Sequence, residues 1–329
     1  MATSSINVPS ASPVEGSRSF LSRLRSGDEI ARLITFIFAG TVVLLTVLLV
    51  YVLWVASPLP RQKFGLAFFV TRLWDPNAEQ FGALAFIYGT VVTSAISLLI
   101  AVPLGIGAAI FLAELAPQKV SDPLQFLIDL LAAVPSVIYG VLGVFIVIPM
   151  MRTVIAPTLK ATLGFLPIFQ GPAYGICVLT AGIVLAIMVI PYIISVSREV
   201  LLSVPNDQRE AALALGSTRW ESTWKVVVPF ARTGIMGSIF LALARALGET
   251  MAVTMVIGNT PNISASLLAG GYSIAAVIAN EFTEATGELH LQTLIELGLV
   301  LFLLTFILNG LARMLMLLTA SRGSGTGRA

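Results

Sequence analysis

The segment that decides the fold is Glu210-Ala211-Ala212, followed after three residues by Gly216 and after nine more by Val226-Val227-Val228-Pro229. It is a short polar stretch between two apolar stretches that are each long enough to cross a bilayer. A polar loop of fixed length inside an otherwise apolar chain has the form expected of a surface that a soluble partner binds. The segment therefore predicts a membrane protein with a docking loop.

The ends of two helices are marked within this loop. Pro205 suits a first helical turn because its missing N–H is not needed there, and Asp207 adds favourable negative charge near the helix N-terminus. Gly216 suits the left-handed residue that ends many helices. Thr218-Arg219-Trp220-Glu221 has the Thr-x-x-Glu form of a capping box, which predicts the start of a second helix. We expect that helix to stop at Pro229, just before the next apolar stretch.

One face of the first helix is predicted to meet a partner. Ala211, Ala212 and Leu215 share that face, and small side chains there would let another protein approach the backbone closely. Arg209 and Glu210 would fix the register of docking by charge. The alternative is a helical hairpin that rests on lipid headgroups.

Composition places the chain among integral membrane proteins. Of its 329 residues, 57% are hydrophobic and 11% are charged, and the mean hydropathy is +0.95. A soluble fold could not keep so much apolar surface out of water. The 19 Lys and Arg residues nearly balance the 17 Asp and Glu residues, which argues against a nucleic-acid partner. The lone Cys177 and the lone His290 exclude an intramolecular disulfide framework and a Cys- or His-based metal cluster.

Six apolar segments reach the length of about 20 residues that a spanning helix needs, so the predicted fold class is an all-α membrane protein with six transmembrane helices. They cover residues 31–56, 83–114, 123–150, 173–197, 231–258 and 291–318. The transmembrane domain is expected to occupy 28–320. It lies between a Ser-rich cytoplasmic tail at 1–27 and a second tail at 321–329, both predicted to be disordered.

The distribution of Lys and Arg predicts the orientation in the membrane. With the N-terminus in the cytoplasm, thirteen of these nineteen residues lie inside and five lie outside, and Arg245 remains within a span. This excess is what the positive-inside rule favours. Both termini and the loop at 198–229 then face the cytoplasm. The segment 57–82 is rich in aromatic residues and is predicted to be a partly helical, interfacial segment on the outer face.

The loop motif Glu210-Ala211-Ala212-x3-Gly216-x9-Val226-x-Val228-Pro229 resembles the EAA loop of the membrane subunits of binding-protein-dependent ABC importers. Four further segments resemble phosphate-specific permeases of the PstC type, and the likeness covers nearly everything from residue 30 to 320. These segments are Lys63-Phe64-Gly65-Leu66-Ala67-Phe68, Ala132-Ala133-Val134-Pro135-Ser136-Val137-Ile138-Tyr139-Gly140, Arg245-Ala246-Leu247-Gly248-Glu249-Thr250-Met251-Ala252-Val253 and Ile257-Gly258-Asn259-Thr260.

The resemblance implies a MetI-like, type I ABC importer permease that forms half of a heterodimer with a PstA-type permease. It implies as further partners a PstB-type ATPase dimer, an extracytoplasmic phosphate-binding protein, membrane lipid and phosphate, in a bacterial cytoplasmic (inner) membrane. In that family the EAA loop sits in a cleft of the ATPase, so Glu210, Ala211, Ala212 and Gly216 are expected to couple the two subunits. The sequence contains no G-x-x-x-x-G-K-[ST] motif, so ATP and Mg are expected on the ATPase and no cofactor is expected on this chain.

A second polar site is predicted at Arg245 and Glu249 in the fifth span. An arginine at mid-bilayer costs about 2.5 to 3.5 kcal/mol, so it normally faces protein or a water-filled cavity. Glu249 lies four residues further on, which is the same face of a continuous helix. In a phosphate permease, Arg245 would attract the oxyanion and Glu249 would weaken its binding enough for release. The alternative is a structural ion pair. Pro135 and Ser136 are candidates for lining a gate.

Several functions stay open. The leading hypothesis is a permease subunit of an ATP-driven phosphate importer, with no enzymatic site of its own. The coupling motif is shared across importers, so sulfate or molybdate remains an alternative substrate. An ion-coupled secondary carrier also remains possible, in which Arg245, Glu249 and Glu296 would form a protonatable relay. Asp129 and Glu296 have no assigned partner within their predicted spans.

Overall fold

The structure is a computed structural model that describes the backbone of residues 28–323 and the side chains of residues 31–314. That part of the chain is helical and forms no β-strand. The helices, numbered in chain order, are α1 (Asp28–Val55), α2 (Pro58–Phe64), α3 (Leu84–Leu115), α4 (Gln118–Ala132), α5 (Ser136–Leu163), α6 (Val178–Leu202), α7 (Asn206–Ala214), α8 (Arg219–Gly248), α9 (Met251–Thr254), α10 (Ile274–Glu281) and α11 (Glu288–Gly323).

Six helices in the described part are long and apolar enough to cross a membrane, namely α1, α3, α5, α6, α8 and α11. The predicted number of spans is confirmed, but the predicted third span, 123–150, is wrong because it joins parts of two helices. α4 ends at Ala132 and α5 begins at Ser136, with Pro135 in an extended conformation between them (φ −57°, ψ 140°). Pro135 has no N–H for a continuing helix, and it disfavours helical geometry at Val134. α4 is therefore a separate helix.

The predicted fifth span is displaced as well. α8 begins at Arg219, before the predicted start at 231, and ends at Gly248, before the predicted end at 258. The second helix of the loop therefore does not stop at Pro229 but continues into the span. Pro229 is tolerated because it follows a π-helical turn, Thr223–Val227, and lies at the start of the regular helix that comes next. Beyond Gly248 the backbone is extended at Glu249 (φ −70°, ψ 127°).

The described residues divide into two units between Val52 and Leu53. In the first unit the described residues belong to α1, and the side chains from 31 to 49 are exposed although most of them are apolar. The predicted disordered tail at 1–27 lies outside the described residues, and so do residues 324–329 of the second tail. Residues 321–323 continue α11, which therefore extends slightly past the predicted boundary at 320.

In the second unit, α6 is the central helix. In its most apolar stretch 67% of the residues are buried, compared with 22% to 33% in α3, α5, α8 and α11. Side chains from α3, α5, α8, α9 and the segment after α9 complete the core around it. Gly140 allows α5 to approach α9 closely, because a Cβ there would lie 3.1 Å from Ala252 Cα and 2.6 Å from Sδ of Met255, the residue after α9. This contact brings the start of α5 next to the break that follows α8.

The two ends of α3 lie in different cores. One end of α3 lies near α7 and is called the loop end below. There, Leu112, Leu201, Val204 and Val227 are buried together. At the opposite end of α3, called the cap end, aromatic residues pack with α10 and α11. The loop end therefore has its own apolar base, on which α7 rests.

The aromatic segment at 57–82 belongs to the cap end and does not spread its rings over a surface. Phe68 and Phe81 are buried, and the Trp74 ring centre lies 4.8 Å from that of Phe81 and 4.7 Å from that of Phe86. Rings at these distances pack edge to face and stabilise the contact beyond simple burial. These aromatic side chains therefore contact protein.

Two acidic residues that lacked a partner in the sequence have one in the structure. Glu296 on α11 accepts a hydrogen bond from Ser57 Oγ (2.6 Å) and lies 3.7 Å from Arg61 Nε. Asp129 on α4 accepts hydrogen bonds from Gln125 Nε2 (2.8 Å) and from Ser195 Oγ (3.0 Å). Each carboxylate is thus paired with neighbouring side chains, and for the buried Glu296 such a partner is required.

Candidate functional site

The loop contains one short helix, α7, whose C-terminal end is the Schellman motif. Ser217 N donates to Ala212 O (3.2 Å) and Gly216 N donates to Leu213 O (3.0 Å). Gly216 has φ +87°, a left-handed conformation that glycine adopts without steric cost. The helix end predicted at Gly216 is confirmed, and Pro205 is the residue immediately before the helix.

The second helix of the loop begins with the predicted capping box. Glu221 N donates to Thr218 Oγ1 (3.2 Å), and Thr218 N donates to Glu221 Oε2 (3.0 Å). Each side chain thereby satisfies a backbone donor that the helix itself cannot pair. Because this helix is the first turn of α8, the loop is connected rigidly to the fifth span.

Arg209 points toward the protein and not toward a partner. Its Nη2 lies 2.7 Å from Glu114 Oε1 at the end of α3 and donates to Leu201 O (2.8 Å) at the end of α6. Its Nη1 donates to Val204 O and to Asn206 Oδ1 (3.3 Å). The Arg209 donors are thus engaged within the chain, and its role in setting the docking register stays a prediction.

The remaining motif residues divide between the two sides of α7. Ala212 is buried with only 7% of its surface exposed, so it faces the protein interior, and its predicted contact with a partner stays a prediction. Glu210, Ala211 and Gly216 are exposed, and Leu215 is 88% exposed. The surface that a partner could reach is therefore formed by the tip of α7, while its base is fixed to α3 and α6.

Trp220 and Trp224, which the sequence did not point to as a site, also lie on the exposed surface of the loop. Their ring centres are 5.6 Å apart, and both side chains are about half exposed. The spacing of four residues on a helix was the available signal, since it places both rings on one face. Two neighbouring exposed indoles suit either a partner or the membrane interface.

At the centre of the second unit, Arg245 lies on the ring of Tyr192. The guanidinium carbon is 4.1 Å from the ring centre, and the buried Arg245 Nε has no hydrogen-bond partner among the described residues. The cation–π contact with Tyr192 compensates part of the cost of placing this charge away from water. The Nε–H of Arg245 therefore remains available to donate a hydrogen bond to a ligand.

Glu249 does not pair with Arg245. α8 ends at Gly248, so the two residues are not on one face of a continuous helix, and within the described residues no carboxylate lies within 4.0 Å of the Arg245 nitrogens. Glu249 Oε1 instead accepts a hydrogen bond from Ala252 N (3.2 Å) at the start of α9. The structural ion pair that was the alternative hypothesis is absent from the described residues.

Pro135 and Ser136 lie at the break between α4 and α5. Two tyrosines form hydrogen bonds to the end of α4 just before this break. Tyr139 donates to Leu131 O (2.7 Å), and Tyr192, whose ring contacts the Arg245 guanidinium, donates to Ala132 O (3.1 Å). Both bonds satisfy carbonyls at the end of α4 that have no partner within that helix. The structure thus links the end of α4, which precedes the predicted gate residues, to Arg245 through Tyr192.

Sequence reasoning missed Glu114 and Tyr192, the residues that hold the two arginines. Glu114 lies 95 residues before its partner, and Tyr192 lies 53 before Arg245, so neither pair leaves a local pattern. The only signal was that a charge in an apolar segment needs a partner. In residues 31–314, no group of three or more His, Cys, Asp or Glu side chains is placed to hold a metal ion.

Comparison with known proteins assigns the family. The family described as "Binding-protein-dependent transport system inner membrane component" matches residues 101–316. The phosphate transport system permease protein PstC of Mesorhizobium japonicum is 50% identical over 266 residues, which cover 79% of this chain and 81% of that protein. The chain belongs to the PstC permease family.

Other PstC proteins are similar over comparable lengths. The protein of Xylella fastidiosa strain Temecula1 is 51% identical over 268 residues, 80% of this chain and 82% of its own. That of Haemophilus influenzae is 45% identical over 285 residues, 85% and 90% of the two chains. Among solved structures, an inward-facing MetNI methionine ABC transporter is similar with a TM-score of 0.49 and 17% identity, covering 70% of this chain and 94% of that one. With its six apolar helices, this PstC family member is a multi-pass membrane protein.

Proposed function

We propose that this chain is the membrane-spanning permease subunit of an ATP-driven importer of inorganic phosphate. The observation that carries the proposal is the contrast within α7, whose tip at Leu215 and Gly216 is open while its base is held by the Arg209–Glu114 ion pair. A loop built in this way can be pushed or pulled without changing its own conformation. The phosphate transport named for the PstC relatives supplies the substrate.

Coupling follows from the elements to which α7 is attached. ATP and Mg belong to a PstB-type ATPase dimer, which would contact Glu210, Ala211, Leu215 and Gly216. Arg209 joins α7 to the ends of α3 and α6, and the capping box joins the loop to α8. A displacement of α7 would therefore reach three spanning helices at once.

The pathway is proposed to pass Arg245. Its unpaired Nε and planar guanidinium suit an oxyanion, and charge-assisted hydrogen bonds to phosphate are stronger than neutral ones. Glu249, at the break after α8, would keep the binding weak enough for transit. Pro135 and Ser136 would line the gate beside it, since the end of α4 is linked to Arg245 through Tyr192.

The complete transporter would contain further subunits. We propose a PstA-type permease as the second half of the pathway and an extracytoplasmic phosphate-binding protein at the cap end. The chain would lie in a bacterial cytoplasmic (inner) membrane with both termini in the cytoplasm, which places the loop end on the side of the ATPase. The exposed apolar side chains of α1 suit lipid or the second permease.

Reconstitution into proteoliposomes tests energy source and substrate together. The four proposed components would be assembled with ATP enclosed with the ATPase, and the uptake of labelled phosphate would be measured with and without that subunit. We expect uptake only with the ATPase and ATP, and no competition from excess sulfate. Uptake driven by an ion gradient without the ATPase would contradict the proposal, and strong inhibition by sulfate or molybdate would identify another oxyanion as the substrate.

A further inference from the structure

A row of polar side chains joins α4 to α6 along most of the length of α4. Three residues of α6 spaced about one helical turn apart, Arg198, Ser195 and Tyr192, each contact α4. Arg198 Nη2 lies 3.2 Å from Ser121 Oγ and 3.6 Å from Asp122 Oδ1. One turn further on, Ser195 Oγ donates to Asp129 Oδ1 (3.0 Å), and at the end of α4 Tyr192 donates to Ala132 O (3.1 Å).

Gln125 lies in the middle of this row and bonds both helices. Its Nε2 donates to Asp129 Oδ1 (2.8 Å) and to Ser195 Oγ (3.3 Å), and only 9% of the residue is exposed. Gln125 is buried, so separating α4 from α6 would take its amide nitrogen from the Ser195 acceptor at a cost in free energy. The row runs from Ser121 to Ala132 and therefore covers most of the fifteen residues of α4.

The beginning of α4 is connected to the loop end. Ser121 Oγ donates to Leu112 O (2.7 Å) in the last turn of α3, and Glu114, two residues beyond, holds Arg209 of α7. Arg209 also donates to Leu201 O in the last turn of α6. The same short region therefore fixes α7 to both helices that border α4.

The other end of α4 is connected to the centre. The hydroxyl of Tyr192 bonds the last turn of α4, and its ring lies under the Arg245 guanidinium at 4.1 Å. A single side chain thus contacts both the helix that leads to the Pro135 break and the one arginine proposed to bind the substrate.

We propose that α4 and α6 move as one body and that Tyr192 is a positioning residue, which transmits the displacement of α7 to Arg245. The proposal rests on the proposed function, because it assumes that α7 is displaced by an ATPase and that Arg245 meets the transported anion. Tyr192 would not bind phosphate itself. It keeps Arg245 at a fixed place relative to the end of α4, so that the gate and the anion site change together.

The first test measures phosphate transported per ATP hydrolysed in proteoliposomes. Tyr192→Phe keeps the ring beneath Arg245 but removes the bond to Ala132 O, and we expect this ratio to fall about two- to tenfold, the factor that corresponds to one neutral hydrogen bond. Tyr88→Phe is the matched control, since its hydroxyl donates to Ser264 O (2.6 Å) at a site without contact to α4. An unchanged ratio with Tyr192→Phe, with both rates lowered in proportion, would mean a merely structural tyrosine and overturn the proposal.

The second test is independent of the substrate. Spin labels at Phe126 on α4 and Ile187 on α6, both exposed, would report the distance between the two helices in the assembled complex with Cys177 replaced by serine. A second pair would join Phe126 to Leu66 in the exposed part of the cap end. We expect ATP binding to change the second distance and not the first. A change in the first distance, or none in either, would refute the rigid body, whereas absent phosphate uptake by the wild type would refute only the proposed function.

Discussion

Arg209 at the loop end and Arg245 at the centre of the bundle differ in how the surrounding protein pairs them. Arg209 donates to Glu114, to Asn206 and to the backbone carbonyls of Leu201 and Val204. Arg245 stacks on Tyr192, and its Nε is buried without a partner in the described residues. The first arginine is saturated by the protein, whereas the second has donors left over.

This difference separates a structural charge from a charge that can serve a ligand. Removing one member of a buried ion pair leaves the other without compensation and destabilises the fold. An arginine with unused donors has no charged partner within the protein that its removal would leave unpaired. Substituting it should therefore cost little stability. The effect of substitution on the free energy of unfolding should therefore differ sharply between the two sites, even if both substitutions stop transport.

The largest expected effect on stability is that of Arg209→Met. It leaves Glu114, whose side chain is 9% exposed, without its partner, and we expect the free energy of unfolding to fall by about 3 kcal/mol. Thermal unfolding of the purified complex in detergent would measure it. The double variant Arg209→Met with Glu114→Met should recover much of the loss, since neither charge is then left alone. Equal instability of single and double variants would show that the ion pair does not fix α7.

A smaller effect is expected for Gly216→Asp at the tip of α7. A side chain at φ +87° strains the backbone by about 1 to 2 kcal/mol, but nothing lies within 4 Å of the new Cβ. We expect a modest loss of stability together with loss of ATPase docking and of phosphate uptake. Gly216→Asn is the matched control, because asparagine tolerates this conformation and adds no charge.

Binding of the ATPase to the assembled permeases would be measured for Gly216→Asp and Gly216→Asn alongside uptake. Glu210→Lys, which changes an exposed charge without backbone strain, should also abolish docking. Normal transport by Gly216→Asp or by Glu210→Lys would argue strongly against a coupling role for this tip.

The loop was largely predictable from sequence because its signals are local. Gly216, Thr218 and Glu221 act within one helical turn, and the structure places each of them in the predicted role of ending or starting a helix. The directions in which the side chains of Arg209 and Ala212 point were not predictable in this way. They depend on α3 and α6, whose contacts with α7 come from distant parts of the chain.

The centre was less predictable because its helices break where the apolar pattern continues. Val134 and Pro135 carried a signal for the end of α4, and Gly248 carried one for the end of α8. Hydropathy outweighed both, so 123–150 and 231–258 were each assigned to one continuous helix. The expected proximity of Arg245 and Glu249 followed from that continuity and fails with it.

The smallest expected effect on stability is that of Arg245→Gln, and it decides what the unpaired arginine is for. The substitution removes one cation–π contact, but it also removes a charge that has no carboxylate partner within the described residues. The net loss in free energy of unfolding should therefore be less than about 1 kcal/mol. Assembly and thermal unfolding should therefore match the wild type. Phosphate uptake should fall about ten- to hundredfold, the range for a lost charge-assisted hydrogen bond. Arg245→Lys, which keeps the charge but not the planar donors, should lie between the two. A variant with normal uptake would make Arg245 structural, and one that fails to assemble would make it the equivalent of Arg209.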